Sequence, residues 1–254
     1  DSTARAFRRF LPRRDETASD AMTPKTSVTS KLVSLRPLLD AARRSGCAVA
    51  ALNFYNAETL RAHINAANEA VGGNGASIIL QTTESTIKYL GIRLAVAMAR
   101  AAAEEIRQPV ALHLDHGANY ELAARCIEAG YTSVMIDGSK LPFAENVAVT
   151  RRVVELAHAH GVSVEGELGH VAHNEDDNDI TKFYTRAEDA ARFVAETGVD
   201  ALAVAIGTAH GFYKGEVRLD FERLKQIRAV VGETALVLHG GSGVPAELMR
   251  RAIE

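Results

Sequence analysis

Three histidines stand at or near the ends of three separate apolar runs: His116 in VALHLDHG (110–117), His210 in ALAVAIGTAHG (201–211) and His239 in ALVLHGGSG (235–243). Three imidazoles converging from different segments suit a catalytic zinc, with a fourth position left open for a substrate oxygen. No compact ligand motif such as HExxH is present, so the inference rests on the three placements together. Asp115 precedes His116, and a carboxylate there can move a proton to or from a substrate hydroxyl, or act only by orienting the imidazole. Glu165 and Glu167 in SVEGELGHV (163–171) and Asp137 in SVMIDGS (133–139) add carboxylates at further run ends. Asp137 and Glu167 suit either an alternative metal position or hydrogen-bonding support for the histidines. Asn53, Asn56 and Thr83 complete the polar set, with Asn53 and Thr83 taken as substrate contacts.

The other histidines read differently. His113 lies on the same strand face as Asp115 but one layer deeper, so it is expected to support the site rather than ligate. His158 and His160 precede Gly161 at the end of a helical stretch, where the helix dipole favours them. His170 and His173 fall in an acid-rich segment running to about Tyr184. Such a segment is either a solvated surface loop or a lid, and Glu175 within it can deliver a proton on closure. The turns GTAHG and HGGSG bring Gly211, Gly240, Gly241 and Ser242 after strands, where backbone N–H groups can face a phosphate, although glycine serves tight turns equally well. HGGSGVP leads into a helix opening at Pro245, which favours the phosphate role.

The elements that must position these groups alternate along the chain. Seven strand candidates, AVAALNF (48–54), ASIILQT (76–82), VALHLDHG, SVMIDGS, SVEGELGHV, ALAVAIGTAHG and ALVLHGGSG, are separated by amphipathic helical stretches such as ETLRAHINAANEAV, ELAARCIEAG with Gly130 as its stop, and NVAVTRRVVELAHAHG with Gly161 as its stop. This is the pattern of parallel βαβ units. Seven units without a GxGxxG after the first strand favour an α/β (β/α)8 barrel over a doubly wound sheet, and in such barrels chemistry sits at the C-terminal strand ends. No eighth strand follows PAELMRRAIE, so the barrel is expected to be cut short after its seventh strand and helix. The two strands at the opening would then expose sheet edges.

Composition agrees. The 254 residues include no Trp and 6% aromatics, which suits a doubly covered aliphatic sheet wrapped by Ala-rich helices. A net charge of -3 gives no reason to expect nucleic acid. Cys47 and Cys126 form no CxxC, which points to a reducing, cytoplasmic setting. Apolar runs fall far short of the about 20 residues of a membrane span. Residues 1–30 are polar and aperiodic, with five Arg before residue 15. They are expected to be a disordered or non-native leader, with Met22 as an alternative start, ahead of one domain over 31–254.

The ordered series LNFYNAETL, ALHLDHG, YTSVMIDGSKLPFAENV, VSVEGELGHVAHNEDD, DALAVAIGTAHGFYKGE and LVLHGGSGVP, from about Ser34 to Glu254, resembles the class II, zinc-dependent fructose-bisphosphate and tagatose-bisphosphate aldolases. The resemblance implies that Asp115 is the acid/base, that His116, His210 and His239 bind the catalytic zinc, and that Asp137 and Glu167 hold the metal in a resting location. It implies that Gly211, Gly240, Gly241 and Ser242 contact dihydroxyacetone phosphate and that Glu175 exchanges the triose proton. A Zn2+ cofactor, with a monovalent cation in parts of the family, then serves reversible cleavage of a ketose bisphosphate. Family members continue into an eighth strand with triose-phosphate contacts and C-terminal helices that contribute to dimers. This chain is therefore expected to turn over weakly if at all, and to be a homodimer or homotetramer when complete. Two rivals stand beside this: a Schiff-base aldolase using Lys140, and a non-catalytic barrel. Fructose, tagatose or another ketose phosphate remain open as substrate.

Overall fold

The computed structural model describes residues 31–169, 172, 173, 180–211, 213 and 215–254. The expected leader, His170 and Glu175 lie outside the described residues. The chain begins with α1 (Leu35–Arg44) and then alternates β1 (Ala50–Asn53), α2 (Ala57–Glu69), β2 (Ile78–Thr83), α3 (Glu84–Leu90) with α4 (Ile92–Glu105), β3 (Val110–Gly117), α5 (Tyr120–Ala129), β4 (Ser133–Ile136), α6 (Phe143–Ala159) and β5 (Ser163–Leu168). It continues with β6 (Ala172–His173), α7 (Ala187–Thr197), β7 (Ala201–Val204), β8 (Ala209–His210), α8 (Phe221–Val230), β9 (Ala235–Val237) and α9 (Ala246–Ile253).

Seven strands form one parallel sheet in the order β1-β2-β3-β4-β5-β7-β9, and β6 pairs with β8 in a second, two-stranded sheet. The main sheet is an incomplete (β/α)8 barrel, open between β9 and β1 among the described residues. Strand periodicity divides its side chains cleanly. On β3, Val110, Leu112 and Leu114 belong to the large core shared with the helices, whereas Ala111 packs in a separate cluster with Ile79 and the α1 residues Leu35 and Leu38. Full burial of a leucine such as Leu112 or Leu114 contributes about 1.5–3 kcal/mol, which holds the helices to the strands. Helix α1 thus stoppers the N-terminal mouth. Its Arg36 reaches Asp200 at 3.1 Å, and the Arg36 N–H donates to Ser163 Oγ at the same distance.

Caps fix where each helix starts and stops. Asn56 and Thr59 form a reciprocal capping box at α2. Asn119 accepts the Leu122 N–H at α5, which ends at Gly130 with φ +106°. Every expected strand but β3 is shorter than its sequence run, and in two of them a glycine turn marks the break. SVEGELGHV leaves the sheet after Leu168, where Gly169 turns with φ +79°. ALAVAIGTAHG breaks into β7 and β8 at Gly207, whose φ is +117° and whose missing Cβ makes room for the Arg218 carbonyl. Among the described residues no helix is long and apolar enough to cross a membrane.

Candidate metal centre

Register brings the polar strand ends to one level. Asn53 pairs with Gln81, Gln81 with His113 and Thr83 with Asp115, while β5 places Glu165 beside Ala201 and β7 places Ala203 beside Val237, two residues before His239. Consecutive residues of a regular strand face opposite sides, so Asp115 and His116 could not both enter the barrel from an ideal β3. The strand solves this with a bulge. Its register to β4 shifts between Leu114 and Gly117, and His116 adopts φ +50°. Such a bulge re-aims a side chain. The His116 N–H turns to Met135 Sδ at 3.3 Å, and Gly117 lies so close to the Met135 carbonyl that a Cβ would collide with it.

The three imidazoles meet edge to face, with ring centroids 5.0 Å apart for His116 and His210, 4.6 Å for His116 and His239, and 5.9 Å for His210 and His239. One nitrogen from each lies within 4.8 Å of the others. Two of the rings are held by carboxylates. His116 Nδ1 donates to Asp137 Oδ2 at 3.0 Å, and His239 Nε2 donates to Glu165 Oε1 at 2.7 Å. A carboxylate on one nitrogen fixes the ring's orientation and leaves the other nitrogen to face a metal. The buried His116 Nε2 has no hydrogen-bond partner among the described residues, which fits a metal-ligand atom. A second group, His116, Asp137 and Glu167, also satisfies metal-ligand spacing.

The charges are tuned by these pairs. Burial works to lower His239, but the Glu165 carboxylate overcomes it and holds the imidazole up at about 9. Burial likewise opposes protonation of His116, and its bond to Asp137 raises it nonetheless. Desolvation alone would raise Asp137 and Glu165, yet the bonds from His116 and Ser139 in the first case and from His239 in the second hold both below the ordinary carboxylate range.

Asp115 is 6% exposed, and its two oxygens have different surroundings. Oδ2 accepts from Asn53 Nδ2 at 2.8 Å and Gln81 Nε2 at 3.1 Å, and Gln81 also donates to Asn53 Oδ1 at 2.8 Å. Oδ1 has no hydrogen-bond partner among the described residues and lies 3.9 Å from His116 Nε2 and 4.0 Å from His239 Nδ1. The arrangement leaves one carboxylate oxygen facing His116 and His239.

Other expected residues fall around this centre. His113 is buried below it, sharing a hydrogen bond with Ser133 Oγ at 2.8 Å and approaching Glu165 Oε2 at 3.6 Å; burial lowers its pKa. Gly240 sits in the left-handed region with φ +69°, and Gly241–Gly243, with Ser242 at its middle, forms a short turn leading into α9. Gly211 follows β8 with φ +90°. Thr83 Oγ1 caps α3 by accepting the Thr86 N–H at 3.3 Å, so this hydroxyl is tied to the local backbone. His158 bonds Asp200 at 2.9 Å, together with Arg36 of the stoppering helix. Lys140 is exposed on the turn after β4. Sequence reasoning gave no role to Glu165 or Gln81. The signal was a charged and an amide side chain at inward positions of otherwise apolar strands, but their partners lie on other strands.

Residues 33–254 match the family model described as Fructose-bisphosphate aldolase class-II. Several solved structures resemble most of the chain. The YdjI aldolase from Escherichia coli K12 is 34% identical with a TM-score of 0.76, over 87% of this chain and 78% of its own. A fructose-bisphosphate aldolase from Campylobacter jejuni is 26% identical with a TM-score of 0.72, over 87% of this chain and 74% of its own. With a fold and a histidine-centred strand-end cluster of this kind, and a family match spanning nearly all the described residues, the chain belongs to the class II fructose-bisphosphate aldolase family.

Proposed function

We propose that the protein is a zinc-dependent carbon–carbon lyase that reversibly cleaves a ketose 1,6-bisphosphate, fructose or tagatose, to dihydroxyacetone phosphate and glyceraldehyde 3-phosphate. The observation that carries this is Asp115, with one oxygen clamped by Asn53 and Gln81 and the other facing His116 and His239, two of the three convergent imidazoles. His116, His210 and His239 would hold the ion, and Asp137 and Glu167 with His116 would hold it in a second location. When bound, zinc supplies a Lewis acid for the ketose oxygens.

The chain's own groups carry the protons. In cleavage Asp115 Oδ1 takes the proton of the C4 hydroxyl, the C3–C4 bond breaks to release the aldehyde, and Glu175 returns a proton to the former C3; condensation reverses these steps. Asn53 and Gln81 keep Oδ2 occupied, so only Oδ1 is available for that transfer. Gly211, Gly240, Gly241 and Ser242 would present backbone N–H groups to the phosphate, aided by the helix α9 that follows. A Schiff-base route needs a lysine in a desolvated setting, and Lys140 is exposed. Cys47 and Cys126 are both free thiols, consistent with a cytoplasmic enzyme; the family resemblance supports a homodimer or homotetramer for the complete protein.

The deciding experiment is cleavage of fructose 1,6-bisphosphate and its tagatose epimer by the complete gene product, with EDTA added and zinc then restored. Activity lost to chelator and recovered with zinc is expected. Cleavage that survives EDTA, or none with either sugar, refutes the proposal.

A further inference from the structure

We propose that Tyr213 is a positioning residue that clamps the loop carrying His210 to the loop carrying His239. The inference rests on the zinc reading of this site and extends it to a residue outside the ligand set. The Tyr213 hydroxyl accepts the Ala209 N–H at 2.9 Å and donates to the Gly240 carbonyl at 3.0 Å. Ala209 precedes His210 and Gly240 follows His239. One hydroxyl therefore ties together the backbone neighbours of His210, on β8 of the two-stranded sheet, and His239, two residues past β9 at the end of the main sheet.

The two loops are shaped around this contact. A Cβ on Gly243 would lie 2.5 Å from Tyr213 Cδ2 and 2.9 Å from Cε2, so the ring occupies the space a side chain at 243 would need. A Cβ on Gly240 would lie 2.6 Å from the Ala209 carbonyl oxygen, so the loops touch backbone to backbone at the point the hydroxyl bridges. Only a group that donates and accepts at once can satisfy an N–H and a C=O together, and a phenol does so while neutral. Burial pushes the Tyr213 hydroxyl's pKa up, which keeps it in that form. Loss of the hydroxyl strands the Ala209 N–H in a buried position and frees the loops to separate. The separation of His210 and His239, and the aim of the Gly240–Ser242 amides, then loosen together.

The test uses the full chain with Tyr213→Phe, which keeps the ring over Gly243, and Gly243→Ala, which keeps the hydroxyl but displaces the ring. Zinc affinity is read by competition with a chromophoric chelator, and KM and kcat by fructose 1,6-bisphosphate cleavage. Supporting groups of metal ligands typically change affinity by about 10–100-fold, and a weakening in that range with a raised KM is expected for both variants. Ile227→Val, a fully buried core change remote in role from the site, serves as the stability control and should lower Tm with zinc affinity unchanged. Hydrogen exchange of the metal-free protein gives a readout independent of zinc. Tyr213→Phe should accelerate exchange in residues 205–211 and 239–244 together. Zinc affinity within twofold of the parent, or faster exchange in one loop alone, overturns the clamp. If the complete gene product shows no zinc-dependent cleavage, the functional proposal fails, and the paired exchange still decides the role of Tyr213.

Discussion

Replacing Glu165 with Gln should weaken zinc binding at high pH and flatten its dependence on pH. Glu165 is 3% exposed, accepts from His239 Nε2 at 2.7 Å and lies 3.6 Å from His113 Nε2. In the parent it holds His239 up at about 9, so an incoming ion must displace a proton at neutral pH. Each unit below that value costs about tenfold in apparent affinity, or about a hundredfold at pH 7. Affinity should therefore rise with pH and level off above about 9. His116, also held above its ordinary value, adds to the slope in both proteins.

The glutamine keeps the shape but not the charge, so His239 loses the force that raised it, and the slope should fall by about one proton. Above pH 9, where proton competition has ended, the lost orientation and basicity of His239 should leave the variant about 10–100-fold weaker. Towards pH 7 the gap should close, because only the parent still carries the His239 proton. Chelator competition from pH 7 to 10, with calorimetry in two buffers of different ionisation enthalpy to count released protons, reads both effects. Parallel pH profiles, or equal affinity at pH 10, would refute the reasoning.

Asp115→Asn should cut aldol cleavage by about 10²–10⁴-fold while the protein still binds zinc, measured as kcat on the zinc-loaded protein beside its metal content. Gly166→Ala should destabilise the fold by about 1–3 kcal/mol in urea melts, because the added Cβ would lie 2.8 Å from Cε1 of the fully buried Phe193. A thiol reagent should modify exposed Cys47 in the native protein but reach Cys126 only after unfolding, since burial pushes the Cys126 thiol up to about 12.

The strands were legible wherever an apolar run was bounded by turn residues, and β3 spans the residues its sequence pattern marks, Val110–Gly117. The histidine-bearing ends were legible for the same reason, because parallel strands of similar length bring their C-terminal ends to one level. What the sequence hid depends on contacts across space. The split of β7 from β8 follows from Gly207 packing against the Arg218 carbonyl, which no local periodicity announces. The stoppering role of α1 needs Leu35 and Leu38 to meet Ile79 and Ala111 across two strands. Glu165 looked like one more acidic strand end until β5 and the segment after β9 were placed together. Asp115 beside His116 violates strand alternation, and only the bulge reconciles the two.

That bulge bears on how the protein could be improved. A non-glycine residue held at φ +50° carries backbone strain of about 1–3 kcal/mol. Glycine would relieve much of it, so a stabilisation campaign guided by melting temperature alone would select against the histidine at 116. The position illustrates how selection for robustness and selection for chemistry pull apart at a single torsion angle. Engineering for heat resistance should therefore leave residue 116 fixed and seek its gains in helices and loops distant from the strand ends.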